Sequence, residues 1–350
     1  YYGEGDPEAG DWHIKWAVAH GISFFGFAVY SANGSQMLEA ALDEGFLNSR
    51  FVDRFRFCLN WCNHASADTM TAKQMEMFGE LVTRKYLTHP SYLRIDNKPV
   101  LMILAGAGFV ENLGVQDAKE VFDGLEQSCR AAGLEGVYLV FCEGEIGNAN
   151  DIGQSFAAGA RAFCLYNYPY HGTEFTGPGK HGEASYEHLT EQGRILWQSW
   201  SKMTEGRFWP TVMPGWDRRP WTKDLDLVRT GSSPELFGRS LSDARDYVND
   251  QRIVMIEAWK EWGEGSVLEP SVEHGFAYLD KVRDGFCPDS GEHSDTYPEL
   301  LGTRAPVFDV KLPSENNWSF DYDAQGWTAT GMDGVRSIWG ALGGVSNTSD

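Results

Sequence analysis

The sequence predicts an α/β protein of the (β/α)8 TIM-barrel class, and three observations carry that prediction. Short β-branched and aromatic runs alternate with longer amphipathic ones along most of the chain. No GxGxxG or GxxxxGK loop occurs, and the nearest stretches, at Gly106 and Gly172, break the pattern, so a nucleotide-binding doubly wound sheet loses its main support. Polar and aromatic residues gather at the C-terminal end of nearly every apolar run, which is where a barrel builds its active site.

Seven runs read as strands: Gly21–Tyr30, Phe55–Trp61, Pro99–Leu104, Gly136–Gly144, Arg161–Tyr168, Phe208–Trp216 and Arg252–Trp259. Between them lie helical patterns such as Ala72–Leu87, Asp117–Gly133 and Ser233–Val248, the last opening on Ser-Pro-Glu, which is N-cap chemistry. Strand and helix repeated in this way imply parallel pairing with helices outside. A barrel needs eight strands, so the first is expected upstream of Tyr1. His274–Phe286 reads as the closing helix. A barrel of about 250 residues with extensions fits this length. The expected division is a catalytic barrel over 1–288, a linker over 289–314 rich in Pro, Ser, Gly, Asp and Thr, and over 315–350 the start of a β-sandwich-like module.

The 50 acidic against 29 basic side chains give a formal charge of −21, which opposes binding to nucleic acid or an anionic membrane and favours a neutral ligand. No apolar run approaches the roughly 20 residues of a membrane span. The chain does not open on an initiator methionine behind a charged leader, so any signal peptide is expected outside it. Cys58 and Cys62 stand roughly 13 Å apart on an extended run and cannot bridge each other, so buried free thiols are expected. Without HExxH, paired-histidine or EF-hand spacing, neither a metal site nor a cofactor is expected. The missing GxSxG elbow weakens an esterase reading.

The candidate chemistry centres on "AWKEWGEGSVLEP", Ala258–Pro270. Glu261 and Glu264 follow the last strand and should project into the barrel mouth. Glycosidic bond hydrolysis needs one carboxylic acid to protonate the leaving oxygen and one carboxylate as nucleophile or base. Burial can split these roles by raising one pKa. A three-residue spacing permits either assignment, and glutamates in a first helical turn also occur for the macrodipole alone. Trp259 and Trp262 offer flat faces to a sugar ring. Other strand-end residues are candidates for contacts with substrate: Tyr30, Trp61, Asn63, His64, Glu143, Tyr168, His171, Trp216, Asp217 and Arg218. Glu145 is a reserve carboxylate and Glu269 reads as structural.

The stretch from Ile253 to Val282 resembles the closing segment of the family 99-like glycoside hydrolases, which include endo-α-mannosidases and the WbsX-like proteins of bacterial polysaccharide gene clusters. "FCLNWCNHAS", "YLRIDNKPVLMI", "VMPGWDRRPW" and "TGSSPELFGRSL" are similar to WbsX-like segments in the same order, so the likeness spans about residues 10 to 286. The resemblance implies a (β/α)8 barrel and retention without metal, with Glu261 and Glu264 as the catalytic pair. Glu261 would help the substrate's own 2-hydroxyl attack the anomeric carbon, and Glu264 would protonate the departing oxygen and then activate water. Two departures stand out: Lys260 replaces a common Asn, and His64, Ala65 and Ser66 replace a Glu-Asn-Trp-Thr-like stretch, so mannose specificity does not carry over. The expectation is a secreted or periplasmic, retaining, endo-acting glycoside hydrolase with a polysaccharide or oligosaccharide as its partner. The rivals are a carbohydrate-binding or polysaccharide-assembly protein on the same barrel, and a transferase using a nucleotide-sugar donor.

Overall fold

In a computed structural model of the chain, residues 2–32, 35–37, 39–62, 72–144, 147–174, 182–222, 226–287, 293, 295–298 and 338–342 are described. All seven predicted runs contain strand. Parallel pairing leads from Phe24–Ala32 through Arg56–Cys62, Lys98–Leu104, Tyr138–Glu143 and Ala162–Leu165 to Phe208–Trp209. From the other side of Phe24–Ala32 it continues through Ile338–Leu342 and Val254–Ile256 to Thr211–Val212. The two ends of this path are one stretch of chain interrupted at Pro210, which has no N–H to give a ladder.

Among the described residues the eighth position of this path is occupied by Ile338–Leu342. It lies between Phe24–Ala32 and Val254–Ile256, while the described chain before Phe24 carries the helix Pro7–Ala19. A five-residue apolar run within a stretch rich in turn residues gives little periodicity by which to assign it to one sheet or another.

Strand faces follow from the period of two. Along Arg56–Cys62, Phe57 and Trp61 turn outward, Trp61 stacking on Phe78 at 5.1 Å and meeting Phe109 edge-on. Cys58 turns to the other face, where its Sγ lies 3.9 Å from Met102 Sδ. Both faces are buried, as expected of parallel strands covered by helices. The six cysteines are free and five are buried, in keeping with the thiols expected.

Helix starts are written locally. Asp6 caps Pro7–Ala19 by accepting from Glu8 N, with Pro7 at the first turn, and Ser233 caps Pro234–Ala244 by accepting from Leu236 N. The predicted closing helix is Ala277–Phe286. Beyond it, Thr296 accepts from Trp16 Nε1 at 3.0 Å and Tyr297 packs on Phe276, so these residues of the expected linker lie against the barrel's outer helices. No helix among the described residues is long and apolar enough to cross a membrane.

Candidate active site

The strand Val254–Ile256 runs into Glu257, and the chain then folds into a hairpin rather than a helix. Lys260–Glu261 pairs antiparallel with Ser266–Val267, with Glu261 opposite Ser266. The turn is Trp262-Gly263-Glu264-Gly265, closed by Glu264 N donating to Glu261 O at 3.1 Å, with Gly265 at φ +66°. A helix macrodipole therefore gives no account of these glutamates. The turn is docked as well as closed: Asp217 N donates to Glu264 O at 2.6 Å. A Cβ on Gly265 would stand 2.6 Å from Asp217 N, and one on Gly263 would overlap the Trp221 ring. Both glycines let neighbouring chain approach this closely.

Three carboxylates share the site. Glu257 is fully buried, Glu261 is 4% exposed, and the Glu264 side chain is 12% exposed. Burial, reinforced by the charge of Glu264, pushes Glu261 up to about 8. Burial also pushes Glu264 up to about 7, opposed by Arg218 and assisted by Asp226. Glu257 rises for the same reasons, burial first and then the two neighbouring glutamates, against a hydrogen bond from Ser266 Oγ at 3.1 Å. Arg218 places Nε 3.6 Å from Glu264 and Nη1 3.0 Å from Asp226. Glu264 Oε2 and Glu257 Oε1 are buried without a hydrogen-bond partner among the described residues. Buried acceptors of this kind require a proton, a water or a ligand. Lys260 is turned away: Nζ pairs with Glu4 at 2.7 Å and lies over the Tyr2 ring.

Two tyrosines attend the pair. Tyr30, half-buried, has its hydroxyl raised by burial and then by Cys62, Glu261 and Glu264. Tyr166, which the sequence reading passed over in favour of Tyr168, is raised by burial and then by Glu257 and Glu264. Its signal was available, since Tyr166 is the first residue beyond Ala162–Leu165, the position equivalent to those used elsewhere. Glu257 was passed over in the same way, although it directly follows an apolar strand.

Trp262 is 52% exposed, with Nε1 held by Glu269 Oε1 at 2.5 Å and the ring free to meet a ligand. Glu269 also accepts from Tyr2 at 2.7 Å and lies 3.3 Å from His13, so its contacts tie parts of the chain together. These contacts outweigh burial and hold it below the usual carboxylate range.

Several expected sugar contacts need correction. Trp259 is fully buried, packed 4.9 Å from Phe25, and Trp61 is fully buried against Phe78. Tyr168 is buried with its hydroxyl given to Thr211 O. Trp216 is 3% exposed and meets Tyr170 edge-on, so it offers no open platform. In each case the apolar body completes the core, and sequence position cannot tell a strand-end aromatic that packs from one that projects. The charged pair in "WDRR" is Asp217 with Arg219, while Arg218 is shared between Asp226 and Glu264. Glu143 accepts from Ala107 N at 2.8 Å at the start of Gly106–Leu113, and burial takes it up to about 7. His171 sits near Arg229 and His188, lowered by burial and then by Arg229. Asn63, His64 and Glu145 lie outside the described residues.

Beside the hairpin is a cavity of about 640 Å³, walled by Trp262, Asp217, Arg219, Arg229 and Glu273 among others. Trp262, Gly265 and Val267 of the hairpin line it, whereas Glu261 and Glu264 are not among its lining residues.

The profile of the family described as "Glycosyltransferase WbsX" matches residues 1–282. Proteins named WxcX and described as uncharacterized, from two strains of Xanthomonas campestris pv. campestris, are each 24% identical over 308 residues, covering 81% of this chain and 42% of theirs. The chain thus spans less than half the length of the curated relatives it matches. Among solved structures, a "glycoside hydrolase-like protein" matches with a TM-score of 0.63 at 16% identity, over 81% of this chain and 87% of that one. The GH99 endo-α-mannosidase of Bacteroides thetaiotaomicron matches at 0.53 and, in complex with bis-tris-propane, at 0.54, with 16% and 17% identity. Those matches cover 81% of this chain and 80% and 84% of the respective solved chains. At such identities the likeness is one of fold. The chain belongs to the WbsX family and has the α/β fold of the GH99-like (β/α)8 proteins.

Proposed function

We propose that this chain is a retaining glycoside hydrolase that cuts within a polysaccharide or oligosaccharide, with Glu261 and Glu264 as its catalytic pair. The observation that carries the reading is the placement of both carboxylates on one docked hairpin beyond the sheet's C-terminal ends, buried enough to hold protons near neutrality. In the first step Glu264 gives its proton to the departing glycosidic oxygen as that oxygen leaves the anomeric carbon. Glu261 takes the proton of the substrate 2-hydroxyl, whose oxygen bonds to the anomeric carbon. In the second step Glu264 takes a proton from water, the water oxygen attacks the anomeric carbon as that carbon's bond to O2 breaks, and Glu261 returns its proton to O2. Two inversions give retention. The exposed ring of Trp262 and the adjoining cavity supply room for a neighbouring sugar unit. Action on an extended glycan favours a place outside the cytoplasm.

Arg218 favours a second assignment of roles. Its guanidinium stabilises the Glu264 anion, while Lys260 is engaged by Glu4, so charge in the free protein leaves the proton on Glu261. A 2-hydroxyl donating into Glu261 would reverse that order on binding. The WbsX description also names a transferase, in which a sugar hydroxyl replaces water as acceptor. A polysaccharide panel with reducing-end release, product masses and anomeric NMR tests the hydrolase. Release with net retention is expected without any nucleotide sugar. Turnover only with a nucleotide-sugar donor, or binding without turnover across the panel, would overturn it.

A further inference from the structure

A second cluster lies away from the glutamates, where the helix Pro7–Ala19 meets Ala277–Phe286 and the chain beyond it. His20 caps the first helix four residues before Phe24–Ala32, at the end of that strand opposite the mouth. Its Nδ1 lies 2.7 Å from Trp16 O, which can only accept, so Nδ1 carries the ring proton. The neutral ring then presents a bare lone pair at Nε2. That nitrogen is fully buried, makes no hydrogen bond, and faces Asp280 Oδ1 at 3.6 Å and Asp295 Oδ1 at 3.4 Å. His293 Nε2, also without a hydrogen bond, lies 3.1 Å from Asp295 Oδ1 and 3.8 Å from Asp280 Oδ1. All four ligand atoms lie within 4.8 Å of one another.

The His20 lone pair turned on two carboxylates repels them unless something positive sits between, and the unpartnered His293 Nε2 completes four donor atoms around that space. We propose that His20, Asp280, His293 and Asp295 form a structural zinc site that fastens the chain leaving the barrel to its first helix. Zinc at about 2.0–2.1 Å from four tetrahedral donors sets those donors about 3.3–3.4 Å apart. The four histidine–carboxylate separations, 3.1–3.8 Å, bracket that value, and the other two pairs lie within 4.8 Å. Two nitrogens and two carboxylate oxygens suit zinc, and the two negative charges cancel those of the ion. The Nδ1–H bond to a backbone carbonyl is the outer-shell partner that orients a ligating histidine. Local spacing cannot reveal such a site, because its ligands come from both ends of the barrel sequence. The rival is a proton on Nε2, making an ordinary histidine–carboxylate pair.

The test uses the untagged 350-residue chain, stripped with a chelator and titrated with zinc chloride by calorimetry. One equivalent should bind and raise Tm, and the zinc X-ray absorption spectrum should show nitrogen and oxygen neighbours alone. Absence of stoichiometric binding, or sulfur scattering that places the metal on cysteine, would overturn the site. His293→Ala and Asp295→Asn alter the segment outside the barrel core, so circular dichroism should stay unchanged while the equivalent and the Tm rise are lost. Zinc binding undiminished in both variants would equally overturn it.

Discussion

At Glu264 the decisive neighbour is Arg218, and at Glu261 it is the cation that is turned elsewhere, since Lys260 pairs with Glu4. Lys260 adjoins Glu261 in the chain, and a cation in contact would lower that carboxylate's pKa, but with its ammonium on Glu4 it only partly offsets the rise from burial. The two assignments of roles separate on the leaving group. A general acid is needed least when the leaving group is already good, so its Gln variant should recover on an activated aryl glycoside. With Glu264 as acid, Glu264→Gln should lose about 10²–10⁴-fold in kcat/KM on a natural glycan and far less on the aryl substrate, while Glu261→Gln loses on both. Recovery by Glu261→Gln instead would exchange the roles, and full activity of both variants on a natural glycan would remove the pair from catalysis.

Among the elements, the hairpin was the least legible. Its strands are two residues each, too short for a period-two signal, and "EWGEG" reads equally as a charged helix start. Two glycines settle its shape in different ways. Gly265 has φ +66° and faces the backbone of Asp217, which cannot retreat without breaking the bond to Glu264 O. Gly263 faces the ring of Trp221, a side chain 44% exposed that would have to turn toward solvent to clear an added methyl. Gly265→Ala should therefore cost about 1–3 kcal/mol through strain at a left-handed position. Gly263→Ala should fall within about 0.5 kcal/mol, as surface changes usually do. Urea denaturation of the two variants reads the difference, and equal costs would mean that the hairpin is not docked as described. Glu269 matters at the same scale, because one buried carboxylate fixes the indole edge of Trp262 and so the tilt of the ring a sugar would meet.

For the whole molecule, the alternation of runs and the strand-end residues were enough to indicate the barrel class, because the runs carried their own periods and some helix starts, such as Ser233, their own caps. The corrected residues, Trp61, Tyr168, Trp216 and Trp259, share one cause: whether a strand-end ring points into the core depends on packing from elements distant in sequence. The same burial gives the protein a pH signature. Unfolded, Glu257, Glu261 and Glu264 titrate near the ordinary 4.5; folded, Glu264 and Glu261 hold protons to about 7 and 8, and Glu257 is raised as well. Between those limits the folded state binds more protons than the unfolded one, so the contribution of Glu261 and Glu264 to stability falls as pH rises from about 4.5 to 8. Glu257→Gln removes the carboxylate that is fully buried and keeps its shape. It should raise Tm at pH 8 relative to the unmodified chain, by roughly 2–4 °C for each kcal/mol relieved, and give no gain near pH 4, where the carboxyl is largely neutral in both states. Thermal melts of both proteins across that range measure the difference directly, and a gain independent of pH would mean that Glu257 titrates alike in the folded and unfolded chain.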